Sequence, residues 1–416
     1  MTMTLANRRV LYISYNGMLD PLGQSQVTPY LKELSRAGVR FTLLSFEGPK
    51  AYTSEGRERS EQLHEELASS EIDWHWLRYH KRPSLPATSY DVLSGIRYGS
   101  RLVRKKQIEM VHARSHIAAT IALRLKRRFG LKMIFDVRGL MAEEYVDADH
   151  WEKGSVPYRL TKAMESRALQ ASDGVVTLTE KIWPAIKDWK GLRDREVIHE
   201  VVPCCTDLEL FRFSQSDRDR VRAELRLQDR FVLVYSGSVG GWYLTDKTAD
   251  LFVALLKRKP NGYFLWLTGG SKSLIEKLMS DRGVNSNQFS VHNETPAAVP
   301  RYLSASDVGI AFYKPTFSRQ ATSPVKVSEY LACGLPVIIN AGVGDSDAFV
   351  EAQKVGGVVK DFDGGEYEQT LATIENLLAG DIRERARTVA ENFFDVRRVG
   401  LERYARLYEK VLNLTN

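Results

Sequence analysis

Cysteine is scarce. Three thiols in 416 residues, Cys204, Cys205 and Cys333, are too few for a disulfide framework, and two adjacent cysteines with one distant offer no metal-ligand spacing. A reducing, cytoplasmic setting is expected. Long apolar runs are also missing. Phe231–Tyr235 and Tyr263–Leu267 fall far below the ~20 residues that span a bilayer. Met1–Arg9 lacks the apolar stretch of a secretory leader, so none is expected. There is no Walker-type loop, no Cys/His cluster, no nucleophile triad and no Asp-x-Asp in a suitable loop. These absences predict no metal and no bound cofactor. No aromatic-basic motif accompanies the excess of positive charge, which speaks against nucleic-acid binding.

What is present is ordinary for a folded protein: 43% hydrophobic and 27% charged residues. Single cores rarely grow beyond ~250–300 residues, so the length suggests two domains. The net charge of +7 is uneven. Residues 1–130 hold 21 Lys and Arg against 12 Asp and Glu, a surplus of nine, and the rest is close to neutral. Two basic runs stand out: Arg101, Arg104, Lys105 and Lys106, and Arg124, Lys126, Arg127 and Arg128. They fit a peripheral contact with an anionic membrane and equally a solvated face.

Short apolar segments alternate with amphipathic ones, the pattern of parallel sheets covered by helices. Strands are expected at 10–14, 41–46, 110–113, 133–137 and 174–178, with helices near 27–34, 92–106, 115–128 and 158–171. A second series predicts strands at 231–235, 263–268, 289–292, 308–312 and 336–339, with a helix at 246–257. Pro203 interrupts the pattern between them, and a last helix near 395–413 has no strand after it. The expected fold is α/β with two Rossmann-like, doubly wound domains facing across a cleft. Their boundaries are 1–205, 206–394 and a C-terminal helical segment, 395–416. Ligands of such sheets bind beyond the carboxyl ends of the strands.

The segment Ser323-Pro-Val-Lys326-Val-Ser-Glu329-Tyr-Leu-Ala-Cys-Gly334-Leu-Pro336 reads as a loop, a helix and a turn into a buried strand. Ser323 is placed to cap the helix, with Pro324 in its first turn. A helix N-terminus attracts anions. Lys326 in that turn opposes the helix dipole, a conflict that a bound phosphate would remove. Glu329, on the same face, suits two vicinal ribose hydroxyls. Read more plainly, Lys326 and Glu329 are an i,i+3 ion pair on a solvated face.

This segment resembles the signature of the retaining family-4 glycosyltransferases, which have the GT-B fold. Glu329 matches the second glutamate of the family's Glu-x7-Glu pattern, and Ala332-Cys-Gly334-Leu-Pro336-Val337 matches its tail. Ala321 occupies the first glutamate's position. The Ser-Pro-x-Lys-x-x-Glu-Tyr form is similar to that of bacterial surface-polysaccharide enzymes. Tyr235-Ser-Gly237-Ser238-Val-Gly240-Gly241 resembles the family's nucleotide-domain Gly-rich loop, with Ser238 where many members have arginine and Lys247 filling a lysine position.

The resemblance extends to the N-terminal half. Gly23, Gln24 and Ser25 fall in a loop that relatives close over donor phosphates and acceptor. His112 and Arg138 follow strand ends. Relatives place a histidine against the transferred sugar near Arg138, so these two are the candidate catalytic residues. His116, Glu143 and Glu144 are weaker candidates in the same loops.

The resemblance implies transfer of a hexose-type sugar, with retention, from a UDP- or GDP-sugar to a hydroxyl of a glycan, glycolipid or small molecule. The leaving diphosphate would accept the acceptor's proton. Candidate donor-binding residues are Ser323, Gly237, Ser238, Lys247, Lys326 and Glu329. A UDP-sugar 2-epimerase of the same architecture stays open, as does a degenerate scaffold protein.

Overall fold

The computed structural model describes residues 5–80, 82, 84–189, 192 and 195–414. Residues 1–4, part of the expected non-leader stretch, lie outside it. The chain forms two compact units. One runs to Pro203 and resumes at Val396; the other is Cys204–Asp395. The expected divisions at 205/206 and 394/395 therefore shift by a residue or two. The Cys204 N–H donates to Ser323 Oγ at 3.1 Å, and Thr206 bridges to Asp395, tying these residues into the second unit.

The first unit is built on a seven-stranded parallel sheet: β1 (Arg9–Ser14), β2 (Arg40–Glu47), β3 (Ile72–Arg78), β4 (Met110–Arg114), β5 (Lys132–Asp136), β6 (Gly174–Thr177) and β7 (Ile198–Val201). Their order is β3-β2-β1-β4-β5-β6-β7. Central strands are buried along their length, as parallel strands covered on both faces must be, which is why they read as apolar runs. Helices Ser84–Lys106, Ser115–Phe129 and Val156–Ala171 form one packed group. Thr28–Arg36 and Leu401–Leu412 form another. The last helix buries Tyr404, Ala405, Leu407, Tyr408 and Val411, one stripe at helical spacing. The single helix expected from 395 is instead a π-helical turn, Val396–Gly400, leading into it. A Cβ at Gly400 would lie 2.8 Å from the Tyr30 ring, so the chain enters the helix against that ring.

The second unit holds six parallel strands: β8 (Phe231–Ser236), β9 (Gly262–Leu267), β10 (Phe289–His292), β11 (Val308–Ala311), β12 (Val337–Asn340) and β13 (Gly356–Val359). The order is β10-β9-β8-β11-β12-β13. In each sheet the order reverses once, between β1 and β4 and between β8 and β11. Such reversal points open a crevice beyond the strand ends.

Strands β3, β7 and β13 and the Ser54–Ser69 helix are additions to the sequence reading. So is a short helix, Pro21–Gln26, inside the segment expected to be an open glycine loop. The basic runs lie on Ser84–Lys106 and Ser115–Phe129. Lys106 pairs with Asp73 at 2.5 Å and Lys126 pairs with Asp173, while Arg101, Arg104, Lys105, Arg124, Arg127 and Arg128 are exposed. Among the described residues no helix is long and apolar enough to cross a membrane.

Candidate functional site

In the second unit the chain leaves β8 through Gly237, whose φ of +131° suits glycine. The following loop is fastened to the segment after β11. Lys314 N–H donates to the Trp242 carbonyl at 3.0 Å, Leu244 N–H donates to the Phe312 carbonyl at 3.2 Å, and Tyr243 bridges Tyr313. Strand ends and loop thus bring Tyr235, Tyr243 and Tyr313 together at the reversal point.

Lys326 enters this aromatic group. It stands in the first turn of the helix Val325–Ala332 and is 4% exposed. Its Nζ lies 4.1 Å from the Tyr235 ring centroid, 4.2 Å from that of Tyr243 and 5.3 Å from that of Tyr313. A Cβ on Gly237 would stand 3.0 Å from the same Nζ. The amine has no hydrogen-bond partner, and no carboxylate lies within ion-pair distance of it among the described residues. Cation–π contact offsets part of the cost of burying a charge, but not the loss of hydration. Burial pulls the amine down to about 7, with Glu329 opposing. Glu329 is half-buried, and burial pushes its carboxyl up to about 7, with Lys326 opposing. The ion pair on a solvated face is therefore replaced by a desolvated cation and carboxylate, each disfavoured in its charged form.

One sequence expectation changes here. Ser323 does not cap the helix: Pro324 holds the cap position without a side-chain bond, and Ser323 Oγ accepts from Cys204. Lys247 lies along the helix Thr245–Arg258 with its Nζ 3.9 Å from Asp250. Ser238 is exposed, and its carbonyl accepts from Tyr235 Oη. Sequence reasoning missed the three tyrosines, and also Arg319, whose guanidinium stacks 4.3 Å over Trp242. The signal was available, since Tyr235 ends one strand, Tyr313 follows another and Trp242-Tyr243 follows Gly240-Gly241. Ala321, in the position of the absent glutamate, is buried in the turn Phe317–Ala321.

In the first unit, Gly23 serves internal packing. A Cβ there would lie 2.3 Å from the Gly17 carbonyl oxygen. Gln24 donates to the Leu19 carbonyl at 3.4 Å and Ser25 to the Pro21 carbonyl at 2.8 Å, so both polar side chains bond to backbone close by in the chain. His112 is 1% exposed. Its Nδ1 lies 2.6 Å from Tyr408 Oη, and burial holds the imidazole below its ordinary value. It anchors the last helix to the sheet and offers no free ring to a sugar. Tyr408→Phe should leave the buried imidazole without that bond and cost about 1–2 kcal/mol, read as a lower urea midpoint for the first unit.

Arg138 Nη1 lies 3.7 Å from Asp136, and its Nη2 donates to Gln26 Oε1 at 3.3 Å. Asp136 is one of the partners the sequence left open for Arg138, beside Glu143 and Glu144. Tyr404 Oη also donates to Asp136, at 2.8 Å. Burial alone would raise that carboxyl, but Arg138, His112 and Arg114 outweigh it and hold it at about 2. His116 pairs with Glu165 at 3.1 Å. Glu143 and Glu165 share Lys162, at 3.0 and 2.8 Å. These groups knit helices to the sheet. Among the described residues no group of three or more His, Cys, Asp or Glu could hold a metal ion.

Residues 23–205 match the glycosyl transferase 4-like domain. That stretch covers most of the first unit. Residues 297–393 match the glucosyltransferase 3-like C-terminal domain, a stretch that contains Lys326 and Glu329. The Bacillus subtilis protein TuaH, named as a teichuronic acid biosynthesis glycosyltransferase, is 29% identical over 43% of this chain and 43% of its own length. In sequence, the chain spans about half the length of the curated relatives it matches. A Rickettsia africae glycosyltransferase structure superposes with a TM-score of 0.72 at 14% identity, covering 98% of this chain and 100% of that one. Anabaena HepE, solved with UDP-glucose, gives 0.68 at 15% identity, covering 96% and 99%. The fold is thus GT-B.

Proposed function

We propose that this protein transfers a hexose-type sugar, with retention, from a UDP-sugar to a hydroxyl acceptor in surface-polysaccharide or glycolipid assembly. The observation that carries this is Lys326, a cation with no counter-anion inside a tyrosine cage at the reversal point of the second sheet. A diphosphate is a ligand that supplies what the amine lacks. Glu329, three residues on, is placed to accept hydrogen bonds from the ribose hydroxyls.

As the glycosidic bond to the donor breaks, negative charge builds on the diphosphate. A fixed ammonium held away from water stabilises that charge more than it stabilises the ground state. Lys326 therefore does electrostatic work without donating a proton, and the leaving phosphate oxygen takes the acceptor's proton. Fixed cations can serve this role without a metal, so activity should survive chelation. HepE's complex with UDP-glucose supports uridine as the nucleoside, and TuaH's name supports a polysaccharide acceptor. The exposed arginines near 101–105 and 124–128 would hold the protein against an anionic membrane where such acceptors reside.

Calorimetry with UDP, GDP and ADP tests the reading. UDP should bind the wild type most tightly. Lys326→Ala should weaken it about 100-fold, and Glu329→Ala about 10-fold, equivalent to roughly 2.7 and 1.4 kcal/mol. Absence of saturable nucleotide binding by folded protein would refute the donor site. Release of free, 2-epimerised sugar without acceptor would favour the epimerase reading instead.

A further inference from the structure

The first sheet has its own reversal point, between β1 and β4, and it too presents a buried cation. Arg114 is the last residue of β4, in register with Ser14 of β1 and Asp136 of β5. It is 4% exposed. Among the described residues its side chain makes one hydrogen bond, from Nη1 to Asn16 Oδ1 at 3.1 Å, just beyond the end of β1. Nε is buried without a partner, and no carboxylate lies within ion-pair distance of Arg114 among the described residues. Asp136, the carboxylate next to it in register, is already engaged by Arg138 and Tyr404.

The charges around it do not balance. Among the groups acting on Arg114, Arg138 opposes it and Asp136 is the one carboxylate, and His112 is held toward its neutral form by burial. Tyr12 and Tyr404 complete the surroundings and are held in their protonated, neutral form. The next residue, Ser115, adopts a φ of +71°, a conformation that costs a non-glycine residue energy. It opens the helix Ser115–Phe129, whose N-terminus has no side-chain cap. A buried arginine short of counter-charge, a neutral amide as its partner and an uncapped helix start thus converge on the crevice where such sheets bind ligands.

We infer that Arg114 and Asn16 form an oxyanion site of the first unit, taking a phosphate or carboxylate group. The inference deepens the transferase reading by making the acceptor side anionic, an acceptor that carries a phosphate or an acidic sugar. The site itself does not depend on nucleotide binding by the second unit.

The test uses the full chain carrying Lys326→Ala, which removes the diphosphate site. Thermal shift is recorded with inorganic phosphate, glucuronate and glucose at matched ionic strength. Phosphate or glucuronate should raise the midpoint by a few degrees and glucose should not. Stabilisation by phosphate alone identifies a phosphate group as the ligand, and stabilisation by glucuronate alone identifies a carboxylate. Adding Arg114→Gln should abolish the shift, and Arg114→Lys should keep part of it. If Arg114→Gln does not fold, Asn16→Asp decides the question. A carboxylate placed against Arg114 should raise the ligand-free midpoint and remove the response. An undiminished shift in Arg114→Gln or Asn16→Asp, or no response to either anion by folded protein, overturns the site. UDP binding by the wild type is scored separately, so failure there touches only the donor reading.

Discussion

Lys326→Met should make the ligand-free protein more stable while removing its affinity for a nucleoside diphosphate. Mutations that merely damage a fold lower both, so opposite signs distinguish a ligand-binding cation from a structural one. The amine has an ordinary value of 10.5 and a folded value of about 7, so folding disfavours its proton. The resulting destabilisation is absent above pH 10.5, grows as pH falls and is complete below about 7. Methionine fills nearly the same volume and carries no charge. The gain should be about 1–3 kcal/mol near pH 7, read from urea unfolding of the second unit, and should fade toward pH 10. In the wild type, diphosphate affinity should decline as pH rises above about 7, by up to about tenfold per unit, because the neutral amine offers no charge. Equal stability of variant and wild type across this range would show that the amine is solvated, and the site would lose its main support.

Gly309→Ala should damage the same site from below. Gly309 lies in β11, and a Cβ there would sit 2.4 Å from Cδ2 of the Tyr330 ring. That ring is fully buried and cannot give way as a flexible chain end would. Tyr330 Oη accepts from the Ser236 N–H at 2.8 Å and donates to the Ile310 carbonyl at 3.3 Å, fixing the end of β8 from which the Gly237 loop departs. Overpacking here should cost about 3 kcal/mol. Displacement of the ring should also release Ser236, loosening the cage around Lys326. Both a lower unfolding midpoint and weaker UDP binding are expected. Tyr330→Phe isolates the hydrogen bonds and should cost less, about 1–2 kcal/mol. A Gly309→Ala protein of wild-type stability would mean that the ring has room to move.

The two variants probe different layers of one arrangement. Lys326 is polar chemistry displayed at a strand end, whereas Gly309 and Tyr330 are packing that keeps the strand end in place. The mixture is expected where a rigid scaffold presents its ligand at the edge of a sheet.

The sequence was most legible at the sheet centres. Strands β1, β4, β5, β8, β9 and β12 are covered on both faces and so had to be apolar runs, recognisable without any partner. The strands it hid, β3, β7 and β13, are all edges. Edge strands bury less. β3 alternates apolar residues with Asp73 and His75, β7 is mostly half-buried, and β13 begins with Gly356-Gly357. A last helix was expected from the sequence, but nothing in its residues named His112 as the partner of Tyr408.

By itself, the sequence determined the α/β class, the two-sheet plan and the prominence of Lys326 and Glu329, because periodicity and helix-end chemistry are local properties. Tertiary structure alone decided that Lys326 is caged by tyrosines 91 to 13 positions away in the chain. It likewise decided that His112 is an anchor and that, among the described residues, Arg114 has no carboxylate within ion-pair distance. Burial and the absence of a partner depend on residues remote in sequence, and those two quantities set whether a charged side chain is a surface solubiliser, a strut or a binding group.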